Sequence, residues 1–254
     1  MSVPCFVRTA ARSIAGGSGQ FRLAVCCSCK NTVTRKMSSR RQTDHLERTA
    51  SVHRQMELFS ARVCDIMNES DSVKRLRLEV PHPDFSFRAG QCFERVCCSV
   101  DSPVTVRVGG NFYFDPQPSD PVVDLLLIAG GVGINPLYSI LLHAADLLKH
   151  THLCYSAKNT KELLFKNTII DICQERPDKF SCDFHVTQQS SDIEQELQPY
   201  TINGRISEEE LKRHVDPEHT LCYLCGPPPM IEKVNSDLQK VGLSEDRILF
   251  EKWW

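Results

Sequence analysis

The sequence predicts an α/β chain: a doubly wound parallel sheet over residues 121–254, preceded over 60–120 by a smaller antiparallel β-rich unit. Three observations predict it. From Asp124 onward, apolar runs of strand length alternate with segments of helical spacing, the pattern of βαβ units. Before that, apolar residues alternate with charged ones, most clearly in Val73-Lys-Arg-Leu-Arg-Leu-Glu-Val80, the period of a strand with one wet face. The change of character falls at Asp115-Pro-Gln-Pro-Ser-Asp-Pro121, whose prolines interrupt any regular element.

The chain opens with a basic, acid-free stretch. Residues 1–43 carry Arg8, Arg12, Arg22, Lys30, Arg35, Lys36, Arg40 and Arg41, with no Asp or Glu before Asp44. Together with much Ser, Ala and Thr, this is the composition of a mitochondrial transit peptide, so a mitochondrial location is expected. A basic tail with no address is the plainer alternative. No clean apolar core precedes a small-residue cleavage site, which argues against a secretory signal. Residues 44–59 read as a linker or short helix. Two strands follow between Ser60 and Val80. Two more, Val104 to Val108 and Asn111 to Phe114, are joined by Gly109-Gly110 and read as a hairpin.

In the second half, Asp124 to Ala129 is nearly continuous apolar sequence, as a parallel strand buried on both faces should be. The spacing then predicts a helix over Asn135 to Leu148, a strand over Leu153 to Ala157, a helix over Lys161 to Glu175 and a strand over Cys182 to Thr187. A short helix over Glu208 to His214, a strand over Thr220 to Cys225, a helix over Pro228 to Val241 and a strand over Ile248 to Lys252 complete the pattern.

Composition excludes several roles. A net charge of -2 gives no basic footprint for nucleic acid. The longest apolar runs, such as Val122 to Ala129, are far shorter than the roughly 20 residues of a membrane span. The 13 cysteines are odd in number and scattered, which points to reduced thiols in an intracellular compartment. Neither Cys222-x-x-Cys225 nor the cluster of Cys26, Cys27 and Cys29 has a second ligand pair at zinc spacing, so no metal site is expected. His143, His152, His185, His214 and His219 show no partners in the sequence and read as structural or exposed.

Two segments carry chemistry. The first strand runs into Gly130-Gly131-Val132-Gly133-Ile134-Asn135-Pro136 and then a helix. Glycines let backbone approach a ligand closely, and the helix N-terminus offers unpaired N–H groups to a diphosphate. Such a turn by itself also serves tight packing. The second segment is Tyr223-Leu-Cys-Gly-Pro-Pro-Pro-Met-Ile231, at the end of the fourth strand.

The pair Gly-Gly-x-Gly-x-x-Pro and Cys-Gly-Pro-x-x-Met, about ninety residues apart, resembles the signature of the ferredoxin–NADP reductase superfamily. The resemblance covers about Ser60 to the C-terminus. It implies a parallel-sheet NAD-binding domain behind an antiparallel FAD-binding β-barrel. It also implies that Gly130, Gly131, Val132, Gly133, Ile134 and Asn135 cradle a pyrophosphate, and that Cys225, Gly226 and Pro227 border the nicotinamide. Cys225 read without the resemblance is a core cysteine. Thr187 and Gln188, ending the third strand, are placed to meet the adenosine. A 2′-phosphate needs a nearby cation, and Gln188-Gln-Ser-Ser-Asp-Ile-Glu194 has none, which favours NADH over NADPH; Lys158 is the cation closest in sequence. Trp253 and Trp254 either stack on a flavin or pack the last strand.

The antiparallel unit departs from the family. Arg88-Ala-Gly-Gln91 resembles the barrel's Ala-Gly-Gln turn and Val106-Arg-Val-Gly-Gly110 the entry to its last strands, but only Cys92 to Pro103 lies between. That is room for one or two strands of about 5–6 residues. The family's flavin signature, Arg-x-Tyr/Phe-Ser/Thr, has Arg95-Val-Cys-Cys98 as its nearest string, without the aromatic or the hydroxyl. The barrel is thus read as truncated. The sequence is read as a flavin-linked NAD(P)H oxidoreductase passing hydride from NADH to a flavin and on to an unknown electron acceptor, with no side-chain acid, base or nucleophile required. The alternative is an inactive form that binds NAD(H), lacks the flavin site and transfers no electrons.

Overall fold

The computed structural model describes residues 7–10, 21–28, 57–70, 73–93, 99–117, 119–121, 123–145, 147–148 and 150–252. The chain divides into two compact units, Met1–Tyr113 and Phe114–Trp253.

The first unit holds a seven-stranded antiparallel sheet. Its strands are Val7–Ala10 (β1), Phe21–Ser28 (β2), Phe59–Asn68 (β3), Val73–Val80 (β4), Cys92–Phe93 (β5), Pro103–Val106 (β6) and Val108–Gly109 (β7), in the order β6-β3-β4-β2-β1-β5-β7. The alternation in β4 does what its pattern predicts: Val73, Leu76, Leu78 and Val80 are buried while Lys74 and Arg77 face out. Leu76, Leu78 and Val80 join Phe59, Ala61, Val63, Phe85, Val106 and Val108 in one apolar core. On the wet side Arg62 bridges Glu79 and Asp101 at 2.6 and 3.0 Å. Exposed pairs of this kind add little to stability.

One reading of this half changes. The hairpin across Gly109-Gly110 is not formed: β6 pairs with β3, β7 pairs with β5, and 111–114 lies outside any strand. Phe112 and Phe114 are both buried, so their two-residue spacing is used for packing without backbone pairing. Both β1 and β2 fall within residues 1–43, and β2 lies between β4 and β1, paired with β4 from Phe21↔Val80 to Ser28↔Val73.

The second unit is a six-stranded parallel sheet. Its elements are Asp124–Gly130 (β8), Ile134–Ala144 (α1), Thr151–Ala157 (β9), Lys166–Glu175 (α2), Phe180–Val186 (β10), Thr201–Asn203 (β11), Glu208–His214 (α3), Thr220–Gly226 (β12), Pro228–Lys240 (α4) and Ile248–Lys252 (β13). The order is β11-β10-β9-β8-β12-β13, with every pairing parallel. Leu125, Leu126, Leu127, Ile128 and Ala129 are all buried, which is why β8 reads as unbroken apolar sequence.

The element boundaries follow local chemistry. α2 begins at Lys166, later than its apolar spacing suggests. Ahead of it, Asn159 Oδ1 accepts from the Lys161 and Glu162 amides in a separate turn, and Phe165 takes φ 58°. Phe165 stacks on Tyr138 at 4.4 Å and 6°, and that contact holds the break. Ser207 and Glu210 cap α3 reciprocally, a capping box. β11, three residues long, is too short to carry a pattern and was not foreseen.

Candidate functional site

Chain order and sheet order reverse at one place. From β8 the chain steps outward through β9, β10 and β11, then returns to the other side of β8 as β12. In open α/β sheets such a switch point leaves a crevice at the carboxyl ends of the two diverging strands, and ligands settle there. Those ends are Gly130 on β8 and Cys225-Gly226 on β12, with Cys225 in register with Ala129.

The two predicted loops meet at this edge, backbone to backbone. A Cβ on Gly133 would lie 2.2 Å from the Cys225 carbonyl oxygen and 2.6 Å from its carbon. One on Gly226 would lie 3.1 Å from the Gly130 Cα, and one on Gly130 would meet Met230 Sδ at 2.5 Å and Pro227 Cδ at 2.9 Å. Glycine at 133 is therefore required by packing against the β12 end. Gly131 differs: it takes φ +54°, and a Cβ there would meet nothing within 4 Å. Its glycine is needed for the left-handed turn, and the space above it is open.

Gly131-Val132-Gly133 form a single tight turn and α1 starts at Ile134, with Pro136 in its first turn. Asn135 is buried; its side-chain amide donates to the Val132 carbonyl at 2.9 Å, which fixes the turn. Its Oδ1 is buried without a hydrogen-bond partner. An unmet acceptor of this kind costs about 1–3 kcal/mol. Ile134 is fully buried and anchors the helix start. Cys225 is buried and Pro227, one residue beyond Gly226, is exposed.

Thr187 sits at the carboxyl end of β10, exposed, its amide donating to the Ala157 carbonyl at 3.1 Å. Gln188 is likewise held to the Lys158 carbonyl at 2.7 Å. This places the ends of β9 and β10 on the same sheet edge as the glycine loop. Lys158 and Arg205 are both exposed.

The Cys222-x-x-Cys225 pair is not a redox motif. Both residues lie within β12, where an odd separation sends side chains to opposite faces. Burial also pushes the Cys222 thiol well above the usual range. Among the described residues, Cys64, Cys154, Cys173, Cys182 and Cys222 are free thiols. Met230 is the neighbour the sequence left without a role: its thioether lies over Gly130 and Gly226, and the methionine of Cys-Gly-Pro-x-x-Met is the signal that pointed to it. Arg95, Val96, Cys97, Cys98, Trp253 and Trp254 lie outside the described residues.

The oxidoreductase NAD-binding domain model matches residues 127–236, the span that contains both loops. A Danio rerio protein, "Oxidoreductase NAD-binding domain-containing protein 1", is 69% identical over an alignment covering 86% of this chain and all of the relative. The Homo sapiens protein of the same name is 42% identical, covering 99% and 98%. The FAD/NAD-binding domain of nitric oxide dioxygenase from Vibrio cholerae superposes with a TM-score of 0.54 at 15% identity, covering 100% of this chain and 99% of that one; this is a likeness of fold. The two sequence alignments run over 270 and 306 positions, more than the 254 residues of the chain. With 86% of the chain aligned to the first, roughly fifty positions of the relative have no counterpart here.

Proposed function

Because the chain belongs to the oxidoreductase NAD-binding domain-containing protein 1 family, we propose that its parallel-sheet unit binds a nicotinamide dinucleotide, NADH, at the switch point between β8 and β12. The observation that carries this reading is the close contact of Gly133 with the Cys225 carbonyl, beside the open space over Gly131. The residues fit the group. The backbone of Gly131 to Ile134 and the start of α1 suit a diphosphate, which favours a helix N-terminus. Asn135 Oδ1, a buried acceptor without a partner, suits a donor brought in by the ligand or by loop adjustment around it. Cys225, Gly226 and Pro227 would edge the nicotinamide, and Thr187 the adenosine. When bound, NADH supplies a hydride, while this chain's part is to hold and orient the ring. The absence of Lys or Arg between Gln188 and Glu194 supports NADH over NADPH.

The sequence between the barrel motifs does not fit a flavin: Arg95-Val-Cys-Cys98 lacks the aromatic and the hydroxyl of the family's flavin signature, and Cys92 to Pro103 is room for one or two strands where the family pattern needs several. No flavin step is assigned to this chain. The conclusion is a protein that binds NAD(H) without a resident flavin. A second reading, hydride transfer through a flavin to an unknown acceptor, is favoured by the likeness to an FAD/NAD-binding domain.

Purified chain separates the two. Colourless protein that binds NADH and reduces no dye, even with flavin added, supports the first reading. Yellow protein with NADH-driven dye reduction supports the second.

The acid-free segment 1–43 supports delivery to mitochondria, a proposal tested by locating a fluorescent protein fused behind it.

A further inference from the structure

At the end of the parallel sheet away from the nucleotide loops, three side chains converge. His152 is the second residue of β9, Asp183 lies on β10 and His214 is the last residue of α3. Asp183 Oδ2 is 3.3 Å from His152 Nε2 and 3.7 Å from His214 Nε2, and one ligand atom from each residue lies within 4.8 Å of the others. The register pairs His152 with Ser181 and Cys154 with Asp183, so His152 and Asp183 project from the same face of neighbouring strands. Five residue steps along β9 separate His152 from Ala157 and three along β10 separate Asp183 from Val186, which at about 3.3 Å per residue puts the cluster roughly 10–16 Å from the nucleotide edge.

The state of His152 is specific. Its ring is buried, with 4% of the side chain exposed, and Nδ1 lies 2.7 Å from Ser181 Oγ. Nε2 is buried and faces Asp183 Oδ2 at 3.3 Å. In the tautomer whose Nδ1–H donates to the serine, Nε2 presents a lone pair into the cluster. His214 stacks on the same ring at 3.5 Å between centroids and 7° between planes.

We propose that His152, Asp183 and His214 form a binding site for a divalent zinc ion, remote from the nucleotide. Two imidazole nitrogens and one carboxylate oxygen are a zinc donor set that leaves a fourth position for water. With metal–ligand bonds of about 2.0–2.1 Å, tetrahedral ligands stand roughly 3.3 Å apart, close to the separations here. Ser181 supplies the outer hydrogen bond that fixes the His152 ring, as metal-bound histidines usually have. His214 must swing out of the stack to aim its nitrogen. It ends a helix and is 22% exposed, so the turn meets little resistance. The ion ties α3 to the start of β9 and the middle of β10 and stabilises the second unit without entering the redox chemistry.

The test uses the full chain, stripped of metal and titrated with Zn²⁺ against a chromophoric chelator, then with Co²⁺ for its optical spectrum. Wild-type chain is expected to take one tight Zn²⁺ and to give a Co²⁺ spectrum without thiolate charge-transfer bands. His214→Ala and Asp183→Asn should lose that site, and Ser181→Ala should weaken it about ten-fold or more. Circular dichroism and NADH binding report whether each variant is folded; His214→Ala, at a helix end, serves as the reference should Asp183→Asn misfold. Added Zn²⁺ should raise the melting temperature of wild type and leave that of His214→Ala unchanged. No tight Zn²⁺ in wild type, equal binding in folded His214→Ala, or a thiolate-bound Co²⁺ spectrum would each overturn the proposal.

Discussion

The parallel unit and the antiparallel unit meet the same demand, burying backbone polar groups, in different ways. In the parallel unit each strand is followed by the connection that delivers the next, and neighbours in the sheet are mostly neighbours in sequence. Its apolar runs therefore carry the fold locally, and the switch point between β8 and β12 follows from the chain order. The antiparallel unit assembles its sheet from distant pieces: β4 pairs with β3 and also with β2, drawn from residues 21–28. An eight-residue strand edge left open invites pairing with another chain, and β2 occupies that edge of β4. The comparison teaches that a locally encoded half can keep its form while its companion has to recruit chain from elsewhere.

The largest effect should come from removing the recruited chain. Deleting residues 1–28 takes out β1 and β2 and exposes the β4 edge, so the product should become poorly soluble, measured by sedimentation of expressed protein, while its soluble fraction still binds NADH. If the truncated chain is as soluble as the full one, the antiparallel unit does not depend on those strands. N-terminal sequencing of the protein from cells sharpens the point, because removal of a leader that includes β2 would leave the same edge open.

The next largest lies in the parallel unit. Gly133→Ala forces a Cβ to 2.2 Å from backbone that belongs to a central strand and cannot swing away. A loss of about 1–3 kcal/mol or more, measured by urea unfolding, and loss of NADH binding are expected. Gly131→Ala is the informative partner. It meets no atoms, so its stability loss is confined to the left-handed backbone, about 1–2 kcal/mol. Its affinity for NADH should fall further than its stability does, because the methyl stands in the open space over the loop. Equal affinity in Gly131→Ala and wild type would remove the diphosphate from that loop.

The smallest effect concerns α4. Asp237 is buried, and burial by itself would raise its pKa toward the neutral form, but Lys233 and Lys240 outweigh this and hold the carboxyl below its ordinary value. A carboxyl lowered on folding adds stability that is present above its unfolded value near pH 4 and is lost as pH falls through the folded value. Asp237→Asn should therefore lower the urea midpoint slightly at neutral pH, since both lysines are more than half exposed, and should flatten the decline of stability below about pH 4. An unchanged acid limb would remove Asp237 from that role.

The second half was legible because its signals are local: an apolar run for β8, a capping box for α3, and glycines where two backbones touch. The site loops were legible for the same reason. The antiparallel half was legible in β3 and β4 and not in β1 and β2, which lie in a stretch whose basic composition reads as a leader and whose pairing partners are far away in sequence. Phe112 and Phe114 misled through correct chemistry, burial without pairing. The His152, Asp183 and His214 cluster was invisible because its members stand about thirty residues apart and meet only through the β9–β10 register and the docking of α3.

The central claim is that two loops at the carboxyl edge of the parallel sheet hold a pyridine dinucleotide. Calorimetric titration of the full chain with NADH and NADPH tests it most directly. The expected result is one saturable site per chain for NADH, weaker for NADPH, and absent in Gly133→Ala. Titrations showing no heat and no saturation with either nucleotide, on protein whose fold is intact by circular dichroism, would contradict it.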